Sequence, residues 1–263
     1  MNVALHPVGE LLREWRQRRR MSQLDLACDA EISARHLSFM ETGRARPSRE
    51  MVLRLAEHLG MPLRARNLLL HAAGYAPVFP ERRLDDPALG AAWQAIDQVL
   101  TGHEPYPALA VDRHWMLVAA NAAVGRLIAG ADPSLLRPPV NVLRLSLHPA
   151  GLAPRIRNLP EWRAHLLARL RAQIDASGDP ALAALLAELA AYPAGRAGPA
   201  RVEPAMVVPL RLAHDGGELS LFSTTTVFGT PVDVTLSELA LETFFPADEP
   251  TAGRMRSMAA NLK

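Results

Sequence analysis

Between Ser22 and Gly43 the chain sets two short, capped helical segments one tight turn apart, and few folds accept that spacing. Ser22 is a favoured N-cap, and Asp25 three residues on completes a capping-box variant. Leu24, Leu26 and Ala27 follow. Ser33 opens the next segment, which carries Leu37 and Met40 and stops at Gly43, a usual helix terminator. The turn lies near Ala30-Glu31-Ile32. Ala27 supplies the small residue needed where two such helices touch, and Leu37 and Met40 point inward. Glu31 stands where glycine would most easily take a positive φ, so either it costs about 1 kcal/mol or the turn adjusts. Upstream, Val8, Leu11, Leu12 and Trp15 fall at helical spacing. Downstream, Pro47-Ser48 caps a fourth segment with Val52, Leu53, Leu55, Ala56 and Leu59 on its apolar positions. Gly60 and Pro62 end it, and a fifth runs from Leu63 to about Ala73.

This helix-turn-helix pattern predicts that the exposed N-terminal face of the second helix enters the DNA major groove. Arg35 is placed to read a guanine edge bidentately. Ser33, Ala34, His36, Ser38 and Phe39 lie within reach of bases, thymine methyls or backbone. Gln23 is expected to hold a phosphate together with helix N-terminal amides. Arg44, Arg46 and Arg49 suit further phosphate contacts. The charge agrees: residues 1–70 hold 12 arginines against 8 acidic residues, a surplus of +4, while the whole 263-residue chain carries only +2. Charge alone fits equally a solvated arginine-rich helix, since the chain uses arginine throughout and has a single lysine, Lys263. The pattern without DNA would be a plain helical hairpin packed on the rest of the chain.

Gly74 to Pro87 is rich in proline and charge and reads as a linker. The expected organisation is a helix-turn-helix domain over 1–75, a linker over 76–87, a second domain over 88–250 and a tail over 251–263. After a helix from Pro87 to Leu100 the period changes. Ala108–Val111 and Trp115–Ala119 read as a hairpin around Asp112-Arg113-His114. Asn121 is placed to cap the next helix. Glu161–Ala176 and Pro180–Tyr192 read as amphipathic helices. Pro193–Pro204 is a loop. Met206–Leu212 and Glu218–Phe228 read as strands joined at Asp215-Gly216-Gly217. Thr224-Thr225-Thr226 fits a strand, and Thr235–Phe245 fits strand, helix or both. The second domain is thus α+β, a small antiparallel sheet covered by helices, and a cupped sheet of that kind can hold a small apolar molecule.

Residues 9–50, with Gly9-Glu10-Leu11-Leu12-Arg13, Ser22-Gln23, Leu26-Ala27, Ser33, His36-Leu37-Ser38 and Glu41-Thr42-Gly43, resemble the Xre/Cro-type helix-turn-helix domain of bacterial repressors. Pro47-Ser48 and Ala72-Ala73-Gly74-Tyr75 narrow the resemblance to regulators of the MmyB-like group. It extends through Ala108–Asn121, Asn141–Arg144, His148-Pro149, Arg155–Trp162, Thr224–Asp233 and Phe244–Asp248. The resemblance implies a five-helix DNA-binding domain followed by a PAS-like ligand-binding domain, and it suggests a fatty acid or similar lipid as ligand. It also implies a structural pair between Glu41 and an arginine of the first helix, here Arg16.

For the ligand, Trp115, Val118, Leu143 and Phe222 are candidates for an apolar wall. Arg144, His148, Arg155 and Asn158 are candidates to meet a carboxylate. Each could instead be ordinary core or a structural ion pair. Catalysis finds no support: there is no phosphate loop and no nucleophile elbow. The nine histidines show no helical metal spacing, and Cys28 is the sole cysteine, which also excludes an internal disulfide. No run approaches the roughly 20 apolar residues of a membrane span. The expectation is a cytoplasmic, non-enzymatic, sequence-specific transcription regulator. It would act as a homodimer on double-stranded operator DNA, with no cofactor beyond a small apolar effector. The alternatives are a protein-interaction module with a structural, ligand-free second domain, and an enzyme regulated by DNA.

Overall fold

The computed structural model describes residues 7–195, 207–214 and 217–260. The chain divides into two compact units. The first comprises residues 1–83 with two excursions from later in the chain, 175–178 and 231–237. It is built on five helices, α1 (Val8–Arg18), α2 (Gln23–Asp29), α3 (Ala34–Glu41), α4 (Arg49–His58) and α5 (Leu63–Ala72).

The boundaries follow from local chemistry. Ser22 Oγ accepts from the Asp25 amide at 3.1 Å and the Asp25 carboxylate accepts from the Ser22 amide at 2.8 Å, a complete capping box. Ser33 and Ser48 cap α3 and α4 with the side chain alone, their Oγ atoms accepting from the His36 and Met51 amides. Gly43 and Gly60 leave α3 and α4 with positive φ. Between α2 and α3, Glu31 accepts the left-handed conformation at φ 53°, while Ile32 N–H closes the turn on the Ala27 carbonyl at 2.9 Å. Gly9 has no room for a side chain: a Cβ there would stand 2.5 Å from the carbonyl oxygens of both Met40 and Glu41, so α1 crosses α3 at backbone contact. Leu12, Leu26, Leu37, Met40, Val52, Leu55, Leu69 and Leu70 are fully buried between the helices.

The second unit opens with a 3-10 turn at Pro87–Leu89 and α6 (Gly90–Gly102). There follow β1 (Ala108–Val111), β2 (Leu117–Ala120), α7 (Ala122–Ile128), α8 (Val142–Leu147), α9 (Leu159–Ser177), α10 (Pro180–Ala191), β3 (Leu210–His214) and β4 (Gly217–Val227). The short α11 (Val234–Ser237) lies in the second excursion of the first unit, and β5 (Ala240–Pro246) and α12 (Glu249–Ala260) complete the chain. The strands form one antiparallel sheet in the order β2-β1-β5-β4-β3. This is the α+β, PAS-like arrangement expected, and the 235–245 segment is indeed helix and then strand. All four residues of β1 are buried, which its apolar run required. The outer edge of β3 is occupied, because Arg157 N–H donates to the Arg211 carbonyl at 2.8 Å.

Two expectations are corrected. Residues 251–260 are not a tail but most of α12. Asp248 caps that helix by accepting from Thr251 N–H at 2.7 Å, and Met255 is buried on the core. Asn121 sits at the N-cap of α7, but its side chain turns to the preceding segment. Its Oδ1 accepts from Ala108 N–H and its Nδ2 donates to the Leu100 and Tyr106 carbonyls. The expected turn at 215–216 and most of the 193–204 loop lie outside the described residues. Among the described residues, no helix is long and apolar enough to cross a membrane.

Candidate DNA-reading face and effector cavity

In the first unit, one ion pair ties three helices together. Arg16 of α1 grips Glu41 of α3 bidentately, at 2.6 and 2.9 Å, and Gln23 of α2 donates to the same carboxylate at 2.8 Å. Burial opposes the charge on Glu41, yet the hydrogen bonds from Arg16 and Gln23 hold its carboxyl below the usual range. Arg16 is therefore the partner of Glu41. Gln23 is part of the same tie, one N–H of its amide donating to Glu41.

The pinned α3 presents Arg35 and His36 to solvent, with Ser33 exposed ahead of them and Ala34, Ser38 and Phe39 half-buried. Phe39 organises the basic groups. The guanidinium of Arg35 lies 5.3 Å from its ring centre and that of Arg44 5.9 Å. Contact of this kind holds the two planar cations beside α3 at Phe39 without neutralising them. Arg49 is exposed in the first turn of α4. Arg46 plays another part. Its Nη2 donates to the Ala73 carbonyl at 2.9 Å, at the C-terminus of α5, and its guanidinium lies over Tyr75. It clamps the end of that helix while its side chain stays exposed.

In the second unit the inner face of the sheet and helices α7, α8 and α9 enclose a cavity of about 100 Å³. Trp115, Leu117, Val124, Leu127, Leu143, Leu145, Trp162, Leu166 and Phe244 make an almost wholly apolar wall. Four polar residues interrupt it: Ser146, Arg169, Ser223 and Glu242. Ser146 Oγ accepts from Trp162 Nε1 at 3.0 Å. Arg169 of α9 meets Glu242 of β5 bidentately, donates also to Thr225 Oγ1 at 2.6 Å, and lies 4.6 Å from the Trp115 ring centre. Trp115 is held in place by its Nε1–H donating to Gln173 Oε1 at 2.8 Å, and its backbone takes φ 65° in the β1–β2 turn.

Of the wall residues expected from sequence, Trp115 and Leu143 line this cavity. Val118, Arg144, His148 and Phe222 do not. The two strand residues, Val118 and Phe222, share one cause. Adjacent strand residues face opposite ways, so Leu117 and Ser223 line the cavity while Phe222 stacks on Phe245 instead. Arg144 follows Leu143 on α8 and reaches out to Glu188 of α10, at 2.6 and 2.7 Å. His148 packs its ring on Tyr192. Arg155 donates to the Leu127 and Ala129 carbonyls and Asn158 to the Pro209 carbonyl, both as ties between segments. Arg169 and Glu242 went unnoticed, although a signal was present. Trp162, Leu166, Arg169 and Gln173 share one helix face, and Glu242 interrupts the apolar run of β5.

Residues 93–258 match the family model of the MmyB-like transcription regulator ligand-binding domain. This chain belongs to that family. In this MmyB-like regulator, residues 7–69 separately match a helix-turn-helix domain. The pair of matches makes it a DNA-binding transcription regulator. No curated protein matches the MmyB-like chain. Among solved structures, the clp gene regulator ClgR from Corynebacterium glutamicum is 28% identical, over 37% of this chain and 90% of that one, with a TM-score of 0.23. An RNA-binding light-oxygen-voltage receptor is 14% identical, over 97% of this chain and 63% of that one, with a TM-score of 0.25.

Proposed function

We propose that this regulator reads a specific operator through α3 and that a small apolar effector in the second unit controls its affinity for it. The observation that carries the effector half is the apolar cavity of about 100 Å³ inside a domain of the ligand-binding family. Arg35 reads a guanine, flanked by Ser33, His36 and Ser38, while Arg44 and Arg49 hold phosphates. Two copies place their α3 helices roughly 34 Å apart to meet successive major grooves. An effector that binds one arrangement better than another shifts DNA affinity by its differential affinity for the two. The protein works in the cytoplasm and needs no catalytic group.

A fatty acid is the effector suggested by the sequence resemblance. The cavity as it stands is smaller than the roughly 150 Å³ that admits benzene in an apolar core, so it takes a chain of about four heavy atoms. A longer acyl chain binds by parting the helices that close it. The test is mass spectrometry of molecules released from the denatured, purified protein, together with its native mass. A stoichiometric lipid whose addition changes operator affinity supports the reading, and a dimeric native mass supports the two-site arrangement. A clean protein whose DNA affinity no lipid alters would favour instead a second domain that only packs and pairs.

A further inference from the structure

The cavity contains one built-in charge arrangement, and it bears on what the cavity accepts. Arg169 is the cation at the wall, yet both of its terminal nitrogens already serve Glu242, one of them together with Thr225 Oγ1. Thr225 in turn donates to Glu242 Oε1 at 2.9 Å. The Glu242 side chain is only 5% exposed, and its position is fixed by β5, where it pairs across to Thr225 of β4 and Leu109 of β1. Arg169 is neutralised from one side by Glu242 and covered on its face by Trp115.

We propose that Glu242 makes the cavity selective for uncharged amphipathic molecules, an alcohol, a ketone, an ester or a protonated acid, over the free carboxylate of the same chain length. This rests on the effector-cavity reading and narrows it. A carboxylate seated within reach of Arg169 would lie beside the nearly buried Glu242 carboxylate, and the like charges repel. An uncharged head meets no such opposition. Ser146 and Ser223 line the same cavity, and their hydroxyls can both donate to and accept from a hydroxyl or carbonyl. A fatty acid therefore enters as its neutral acid or ester.

The experiment titrates the full-length protein with matched n-alkan-1-ols and n-alkanoates of four to ten carbons at neutral pH, read by tryptophan fluorescence and calorimetry. Trp115 and Trp162 on the cavity wall report occupancy. The alcohol of each pair is expected to bind at least about tenfold more tightly than the carboxylate. Glu242→Gln, which keeps the shape and frees Arg169, is expected to reverse that order. If wild-type protein binds alkanoate as tightly as the matched alcohol, the charge selectivity is overturned while the effector cavity stands. If Glu242→Gln folds and keeps the wild-type order, Glu242 is not its source and the proposal fails. Where that variant does not fold, the wild-type ranking of alcohol, methyl ester and carboxylate decides. If no member of either series binds, the effector-cavity reading falls and this proposal with it.

Discussion

The helix-turn-helix unit and the apolar cavity of the second unit use buried charge in opposite ways. Around α3, charge is buried to make a surface rigid. The Arg16–Glu41–Gln23 tie fixes three helices, so that Arg35 and Arg44 can stand on Phe39 unpaired and ready for an anionic partner. Around the cavity, charge is placed within a largely apolar interior. Arg169 and Glu242 satisfy one another, and apart from Ser146 and Ser223 the remaining wall is apolar. A buried ion pair is weak evidence for stability in itself. What the comparison teaches is that its value depends on what it leaves exposed: free cations in one unit, and no net charge in the other.

The comparison can be broken most forcefully at Glu41. Glu41→Leu leaves Arg16 buried without its partner, and the first unit is expected to lose about 3–5 kcal/mol of stability. Thermal unfolding followed by circular dichroism checks this, and an unchanged midpoint would show that the tie is dispensable. The lowered carboxyl of Glu41 also sets a sign. A depressed folded-state value means its contribution is present above the ordinary glutamate range and is lost as pH falls below it.

Gly9→Ala comes next. Its Cβ would meet two carbonyl oxygens at 2.5 Å, so α1 must move off α3 at a cost of about 1–3 kcal/mol. Hydrogen exchange of α1 and α3 amides should speed up, while that of the sheet should not. Arg35→Ala is expected to leave stability unchanged and to weaken specific DNA binding by about 1–3 kcal/mol, with relaxed preference at one base position. Operator titrations with single-base variants read it. Equal loss on every sequence would make Arg35 a phosphate contact instead.

The smallest effect separates Arg144 from Arg169, both in the second unit. Arg144 hydrogen-bonds Glu188 and holds its carboxyl down to about 2, with help from Tyr192 against the opposing effect of burial. The stabilisation is full above about pH 4.5 and is lost as pH falls through about 2. Both side chains are more than a third exposed, so solvent screening keeps the pair below about 1 kcal/mol. Arg144→Ala should flatten the acid limb of the unfolding curve slightly and leave alkanol binding untouched. A change in alkanol affinity would move Arg144 back among the effector contacts.

The first unit was legible almost residue by residue because its signals are local. A serine cap, a carboxylate three residues on and a glycine at the end act within one helical turn. Even Glu31 stands out in the sequence, at the place where a glycine would most easily take a positive φ. The second unit was legible in kind but not in register. Phe222 and Val118 were chosen where Ser223 and Leu117 do the lining, and a one-residue slip in a strand sends every side chain to the other face. The helix over 249–260 was overlooked despite Asp248 and Pro250 at its start, because its apolar face is defined only by the strand it covers.

The sequence by itself determined the caps, the breaks, the helix-turn-helix geometry and the alternation of each strand, since these depend on neighbours within a few residues. Only the tertiary structure decided which face of each strand turned inward and which arginine met which carboxylate. Arg169 and Glu242 are 73 residues apart along the chain. Their meeting depends on the packing of α9 over the sheet, and no local preference encodes it.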